Sequence, residues 1–305
     1  MYYKPVGSWV AIPTPYDDAG RVDFDVFSQL IDFHARHKTS ALLVTGSAGE
    51  VTLLSLGERR QIIRTLAAQA AERLAVFFGT GCATTRDTVE LSQYAERCHA
   101  DGVVLTVPPY LNAPQEAVYR HFETVMDAVR IPVGLYNNPA RVVVNVEPAT
   151  IARLAERFDH FVVDKEAMAE NSQLIEVMEL CKGRLHILCC DYPAYSIVLT
   201  TLAMGGHGTA NIGGNLIPEE MATISRPWTR WDEVTASREM YFRYLPLLRL
   251  LYTVTNPVMI KAGLRILGFK VGGCRRPLPD ILPEKAVELE RLMREAGIVD
   301  KYAAR

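Results

Sequence analysis

Short, unbroken runs of β-branched, aliphatic and aromatic residues recur along the chain. Between them the apolar positions shift to a spacing of three and four. The runs are SWVAIPT (8–14), ALLVTG (41–46), AVFFGTG (75–81) and GVVLTVP (102–108), then PVGLYNN (132–138), FVVDKEA (161–167), LHILCCD (185–191) and HGTANI (207–212). Most are continuous rather than alternating, the pattern of parallel strands covered on both faces. In the intervals, Phe24, Phe27 and Ile31 mark one helical face, and Leu91, Tyr94, Ala95 and Cys98 another. Val118, Phe122, Val125 and Val129 mark a third, and Leu174, Val177, Met178 and Cys181 a fourth. Pro114 and Pro148 stand where a first helical turn accepts proline.

A regular strand–helix alternation implies right-handed crossovers and a parallel sheet. Eight strand candidates favour an α/β fold of the closed (β/α)8, or TIM-barrel, type over an open sheet. Strand candidates cease near residue 215. The remainder predicts helices over 228–238 and 240–252, a third from Asn256 to just before Gly268, and a last one over 283–296. Gly272, Gly273, Pro277 and Pro279 separate the final two. The expected organisation is a barrel over residues 1–225 with a C-terminal helical region, 226–305, packed on it.

Composition narrows this little. Of 305 residues, 49% are hydrophobic, enough for a large core and too many for a disordered chain. A net charge of −2 gives no general attraction to nucleic acid or to an anionic membrane, so neither is expected as a partner. No run is long and apolar enough for a membrane span, and the N-terminus lacks the charged and apolar segments of a signal peptide. The six cysteines (Cys82, Cys98, Cys181, Cys189, Cys190 and Cys274) have no disulfide-framework or zinc spacing. They read as free thiols in a reducing cytoplasm.

Catalytic groups of such barrels collect at the C-terminal ends of the strands. There the sequence places Gly46-Ser47-Ala48-Gly49-Glu50, Pro108-Pro109-Tyr110-Leu111, Tyr136 through Arg141, Lys165-Glu166 and Asp191. A lysine at the end of a core strand needs a reason, because an amine in the interior costs several kcal/mol unless it is paired, neutral or used. Desolvation favours the neutral, nucleophilic amine, which can attack a ketone and form a Schiff base whose nitrogen is an electron sink. The competing explanations for Lys165 are neutralisation by Asp164 or Glu166, or a reach past the rim to water. Ser47 lies in a glycine-flanked turn that can present consecutive N–H groups and a hydroxyl to a carboxylate. Tyr136 is either a proton shuttle or a core aromatic with a satisfied hydroxyl. Gly79-Thr80-Gly81 lacks the third glycine of a dinucleotide fingerprint. His34 and His37 suggest surface or capping positions rather than metal ligands, and Trp228 and Trp231 suggest packing residues.

Together, GSAGE (46–50), GTG (79–81), PPY (108–110), YNNPAR (136–141), DKEA (164–167), GGHG (205–208) and NPVMIKAGL (256–264) resemble the dihydrodipicolinate synthase / N-acetylneuraminate lyase family in order and spacing. The members of that family are pyruvate-dependent class I aldolases. The resemblance implies that Lys165 is the Schiff-base nucleophile and Tyr136 the proton shuttle. It also implies that Ser47 and Ala48 bind the substrate carboxylate and that Ala210 lines the pocket with its main-chain carbonyl. Arg141 would grip a second anionic or polar end of the substrate. No metal or organic cofactor is implied, and a homotetramer built as a dimer of dimers is.

Three departures stand out. Ala48 replaces a hydroxyl residue, and Leu111 replaces a second tyrosine that relays protons across a subunit interface, a loss for which Tyr110 compensates only if its loop is shifted. At the family's regulatory lysine site, Leu56, Arg59 and Ala83 replace histidine and asparagine, which argues against feedback by lysine. The expected activity is a lyase acting on pyruvate or a pyruvate-yielding 2-oxo acid, by aldol addition or cleavage or by dehydration of a keto-deoxy sugar acid. A 4-hydroxy-tetrahydrodipicolinate synthase condensing pyruvate with aspartate semialdehyde is the alternative. A non-catalytic 2-oxo-acid-binding barrel is the alternative from another class.

Overall fold

The computed structural model describes residues 6–192 and 194–304. Eight strands form in the expected order: β1 Gly7–Ala11, β2 Ala41–Val44, β3 Ala75–Gly79, β4 Gly102–Leu105, β5 Val133–Asn137, β6 Phe161–Glu166, β7 His186–Cys190 and β8 Gly208–Asn211. Each pairs in parallel with the next, and β1 closes the barrel on β8 from Gly7↔Gly208 to Val10↔Asn211. The first four strands end two or three residues before the apolar runs do, and the last four end one residue before. Ile12, Thr45-Gly46, Thr80-Gly81 and Thr106 leave the ladder to build the C-terminal rim.

The helical layer comprises α1 Phe24–Arg36, α2 Leu56–Ala70, α3 Thr85–Arg97, α4 Gln115–Asp127, the short α5 Pro139–Val142, α6 Pro148–Arg157, α7 Asn171–Cys181, α8 Val198–Ala203 and α9 Pro218–Ile224. Their apolar stripes cover the outer face of the barrel: Phe27, Leu30 and Ile31 of α1 and Ile62, Ile63 and Leu66 of α2 are completely buried. The helix starts follow local chemistry. The Asp23 carboxylate accepts from the N–H groups of Asp25 and Val26. Ser55 and Glu58 cap α2 reciprocally. Each such cap contributes about 1 kcal/mol.

Beyond β8 come α10 Trp231–Leu250, α11 Val258–Ile266, α12 Pro283–Glu295 and α13 Ile298–Tyr302. Where the sequence suggested two helices split near residue 239, α10 is continuous. No glycine or proline lies at that point, and Pro246, which lies inside the helix, is accommodated without ending it. The helix begins three residues later than expected because Glu233 folds back to accept from the N–H groups of Thr229 and Arg230. The short α13 was not foreseen.

Two smaller expectations are corrected. His34 is fully buried, bonded to Thr39 at 2.9 Å and pushed down to about 3 by that burial, so it is a neutral core residue rather than a surface one. Trp231, at the first position of α10, is 75% exposed, whereas Trp228 packs against the core.

Candidate active site

The mouth of the barrel holds a pocket, open on one side. Its floor is apolar, formed by Ala11, Leu43, Val104 and Ile212, and polar groups enter from several strand ends. Lys165, next to last in β6, points into it. The Lys165 Nζ lies over the face of the Tyr136 ring, 3.7 Å from the centroid. The ring comes from the neighbouring strand, where Tyr136 is in register with Lys165. Successive strand residues face opposite ways, so Asp164 and Glu166 point outward toward the helices, and Lys165 forms no ion pair among the described residues. Pairing with its sequence neighbours is therefore not what accommodates this lysine.

Tyr136 is nearly buried, and burial, reinforced by the neighbouring Cys190, pushes its phenol well above the usual range. It stays protonated at neutral pH and can donate. Its oxygen accepts from the Asn138 side-chain amide at 2.7 Å and contacts Cys190 Sγ at 3.6 Å.

Across the pocket lies the turn after β2. Gly49 N donates to Gly46 O, Glu50 N to Ser47 O, and Val51 N to Gly46 O. None of these bonds uses the N–H of Ser47 or Ala48, and both residues line the pocket. Two non-glycine residues in the left-handed region bracket the turn, Thr45 (φ 53°) and Glu50 (φ 56°). Such backbone costs of order 1 kcal/mol or more per residue and persists only where the surroundings hold it.

Here they do. The Thr45 hydroxyl donates to Val44 O and Gly79 O, and the Thr14 hydroxyl donates to Gly49 O. The Glu50 carboxylate is completely buried, paired at 2.6 Å with Lys261 of α11 and accepting from Arg275 N at 2.8 Å. Gly79 explains the GTG motif, because a Cβ there would stand 2.5 Å from Thr45 O. Only glycine lets β3 pass this close to the turn. From behind, the buried Arg59 guanidinium donates to Gly79 O and Gly81 O and fixes the same loop.

The structure brings Lys165, Tyr136, Ser47, Ala48, Arg141 and Ala210 to one pocket. Arg141 projects from α5 at the rim with no acidic partner among the described residues. The carbonyl of Ala210 accepts from Asp191 N at 3.2 Å, so one of its lone pairs is already engaged. Tyr110 is elsewhere: its backbone turns at φ 75° after two prolines, and the side chain is 92% exposed, away from the pocket lining. Leu111, beside it, is 54% exposed.

Several wall residues escaped the sequence reading. Cys190 and Tyr192 flank the expected Asp191 at the end of β7, and Tyr252 and Asn256 come from the chain between α10 and α11. Behind the pocket, the Asn137 amide donates to both oxygens of Glu166, which also accepts from Met168 N and Gln173 Nε2. This network ties the ends of β5 and β6 together and so fixes Tyr136 against Lys165. Its signal in the sequence was a polar residue at the last outward position of each strand, Asn137 and Glu166.

Among the described residues, no cluster of three His, Cys, Asp or Glu could hold a metal ion, and no helix is long and apolar enough to cross a membrane.

Comparison with known proteins agrees with this fold. The model of the dihydrodipicolinate synthetase family matches residues 4–296. The 4-hydroxy-tetrahydrodipicolinate synthase of Syntrophobacter fumaroxidans is 34% identical over 296 residues, covering 96% of this chain and 99% of that protein. The crystal structure of dihydrodipicolinate synthase from Aquifex aeolicus superposes with a TM-score of 0.91 at 30% identity, covering 96% and 99% of the two chains. That of the Acinetobacter baumannii enzyme, complexed with pyruvate, superposes with a TM-score of 0.88 at 26% identity, covering 96% and 99%. The family match over this closed parallel barrel makes the protein a lyase of the aldolase type. The chain belongs to the dihydrodipicolinate synthetase family.

Proposed function

We propose that the pocket forms a Schiff base between Lys165 and pyruvate, or a 2-oxo acid that yields pyruvate. The carrying observation is the geometry of Lys165, an amine without a counter-ion among the described residues that opens into an apolar-floored pocket opposite a turn with two uncommitted N–H groups. The Ser47–Ala48 turn would hold the C1 carboxylate and so aim C2 at Nζ. Attack gives a carbinolamine. Tyr136 donates a proton to its hydroxyl, water leaves, and the resulting iminium accepts the electron pair released at C3. The enamine then adds to an aldehyde, forms by expelling one, or eliminates water from a keto-deoxy sugar acid. Arg141 would bind a second anionic end. Removing it should weaken that substrate by about 10- to 100-fold in KM, the worth of a charge-assisted hydrogen bond, with little change in pyruvate trapping.

A second reading has its own support. Synthases that condense pyruvate with aspartate semialdehyde are the named relatives, and Arg141 suits the carboxylate of that aldehyde. Leu111, which cannot relay a proton, weighs against an unmodified version of that reaction. The six free cysteines fit a reducing cytoplasm, and the family resemblance supports a homotetramer, which light scattering would test.

The decisive experiment is incubation with pyruvate and borohydride, followed by intact mass and peptide mapping. A reduced pyruvyl adduct on Lys165 is expected. An adduct only with a longer 2-oxo acid would favour the dehydratase branch. Ligand-induced stabilisation with no adduct to any 2-oxo acid would leave a binding barrel without the chemistry.

A further inference from the structure

Tyr136 poses a problem that its own residue cannot solve. A buried phenol that gives up a proton must recover one, and no other hydroxyl bonds to it among the described residues. Its two polar neighbours are Asn138 and Cys190. The Asn138 amide donates to the phenol oxygen at 2.7 Å, so the phenol's own hydrogen must point elsewhere. The remaining neighbour is the Cys190 thiol, 3.6 Å away and buried. That thiol in turn donates to Asp191 Oδ1 at 3.4 Å, and Asp191 is anchored through its other oxygen by Ile212 N. A continuous row of hydrogen bonds therefore runs from Asn138 through Tyr136 and Cys190 to Asp191, beside the pocket that Lys165 enters.

We propose that Cys190 is the proton relay of Tyr136, returning to the phenolate the proton spent on the departing hydroxyl. This rests on the Schiff-base reading above. The balance is as follows. Tyr136 gives its proton to the carbinolamine hydroxyl, the C2–O bond breaks, and water and the iminium form. The phenolate takes the Cys190 S–H proton and leaves a thiolate. When the C3–H bond breaks, its electron pair moves into the C2–C3 bond and the C=N π pair moves onto nitrogen. The released proton passes through Tyr136 back to Cys190. Enamine and water are the products, and both side chains end as they began.

The surroundings suit a thiol that ionises only transiently. Burial holds Cys190 above the ordinary thiol range, while the neighbouring Lys165 charge opposes that shift. An iminium fixed at Lys165 supplies the same positive charge at the step when the thiolate exists. Cys189 provides an internal contrast, for it faces away from the pocket, and its Sγ contacts Gly208 O at 3.7 Å.

The test separates imine formation from proton movement. Borohydride trapping reports the imine, and exchange of the pyruvate methyl hydrogens in D2O, followed by proton NMR, reports enamine formation. Cys190→Ala should trap pyruvate on Lys165 to the wild-type extent yet exchange methyl hydrogen about tenfold or more slowly, within the range set by general acid–base catalysis. Cys190→Ser, which keeps a donor, should recover most of the rate, and Cys189→Ala should exchange like wild type. Asn138→Ala removes the bond that aims the phenol at the thiol without altering β7, and it should also slow exchange. Wild-type exchange by Cys190→Ala overturns the relay and leaves the Schiff base standing. Equal slowing in Cys190→Ala and Cys190→Ser overturns it too, by reducing the thiol to packing. Failure of the wild-type protein to trap any 2-oxo acid removes the Schiff-base reading and the relay with it.

Discussion

Asp164 and Glu166 are two carboxyl groups of one strand, two residues apart, facing the same helical layer, and their environments are opposite. Glu166 accepts from Asn137, Met168 and Gln173. Asp164 is completely buried with neither oxygen hydrogen-bonded. Burial raises both, but Glu166 is restrained by its donors, whereas Asp164 is driven well above the carboxylate range by burial and then by Glu166 itself. Burial thus favours the protonated form of Asp164. Between them, on the other face, stands Lys165. The contrast shows that the fold invests its polar partners where they hold the reacting groups and leaves the neighbouring position uncompensated.

That contrast can be tested from its largest effect downward. Lys165→Ala should lower turnover by about 10³-fold or more, by removing the nucleophile, with the thermal midpoint unchanged or raised. Tyr136→Phe should cost about 10²-fold in turnover, in line with the loss of a general acid, while leaving the imine trappable. Glu166→Ala would strand the Asn137 and Gln173 amides and should destabilise by about 2–3 kcal/mol in denaturant unfolding, with activity falling as the two strand ends lose register.

Asp164→Val should do the reverse and stabilise by about 1–2 kcal/mol at neutral pH, because an unpaired buried carboxyl is replaced by an apolar group of similar size. The pH dependence has a definite sign. The folded Asp164 keeps its proton to higher pH than the unfolded chain, where a carboxyl titrates near about 4. Stability therefore falls as pH rises from that value through the raised folded one, and Asp164→Val should flatten the slope. An unchanged slope would mean that Asp164 is not the uncompensated group.

What the sequence disclosed follows the same division. The eight strands were legible because burial on both faces demands continuous apolar runs, and Lys165 was conspicuous because it interrupts one. The motif turn at 46–50 was legible as a unit, though what holds it was not. Lys261 and Arg275 lie more than two hundred residues away, and no local periodicity announces a partner at that distance. Asn138 and Cys190 went unread for a different reason. Their meaning depends on β5 and β7 both converging on one pocket from either side of β6, and pairing of that kind exists only in three dimensions. The left-handed backbone at Tyr110 was likewise not legible, because a sequence motif does not report the sign of φ.

The ion pair between Glu50 and Lys261 also sets a timetable. The turn that faces the substrate is synthesised within the first sixth of the chain, yet its counter-ion and the N–H of Arg275 leave the ribosome only near the end. At roughly 5–20 residues per second, the nascent protein spends at least ten seconds or so with Glu50 lacking those partners. The eight strands can be complete by residue 211 while the pocket still lacks Tyr252, Asn256 and the lock on Glu50. Competence to bind a substrate therefore arrives last, when the C-terminal helices dock, and a nascent barrel has no finished site to occupy before then.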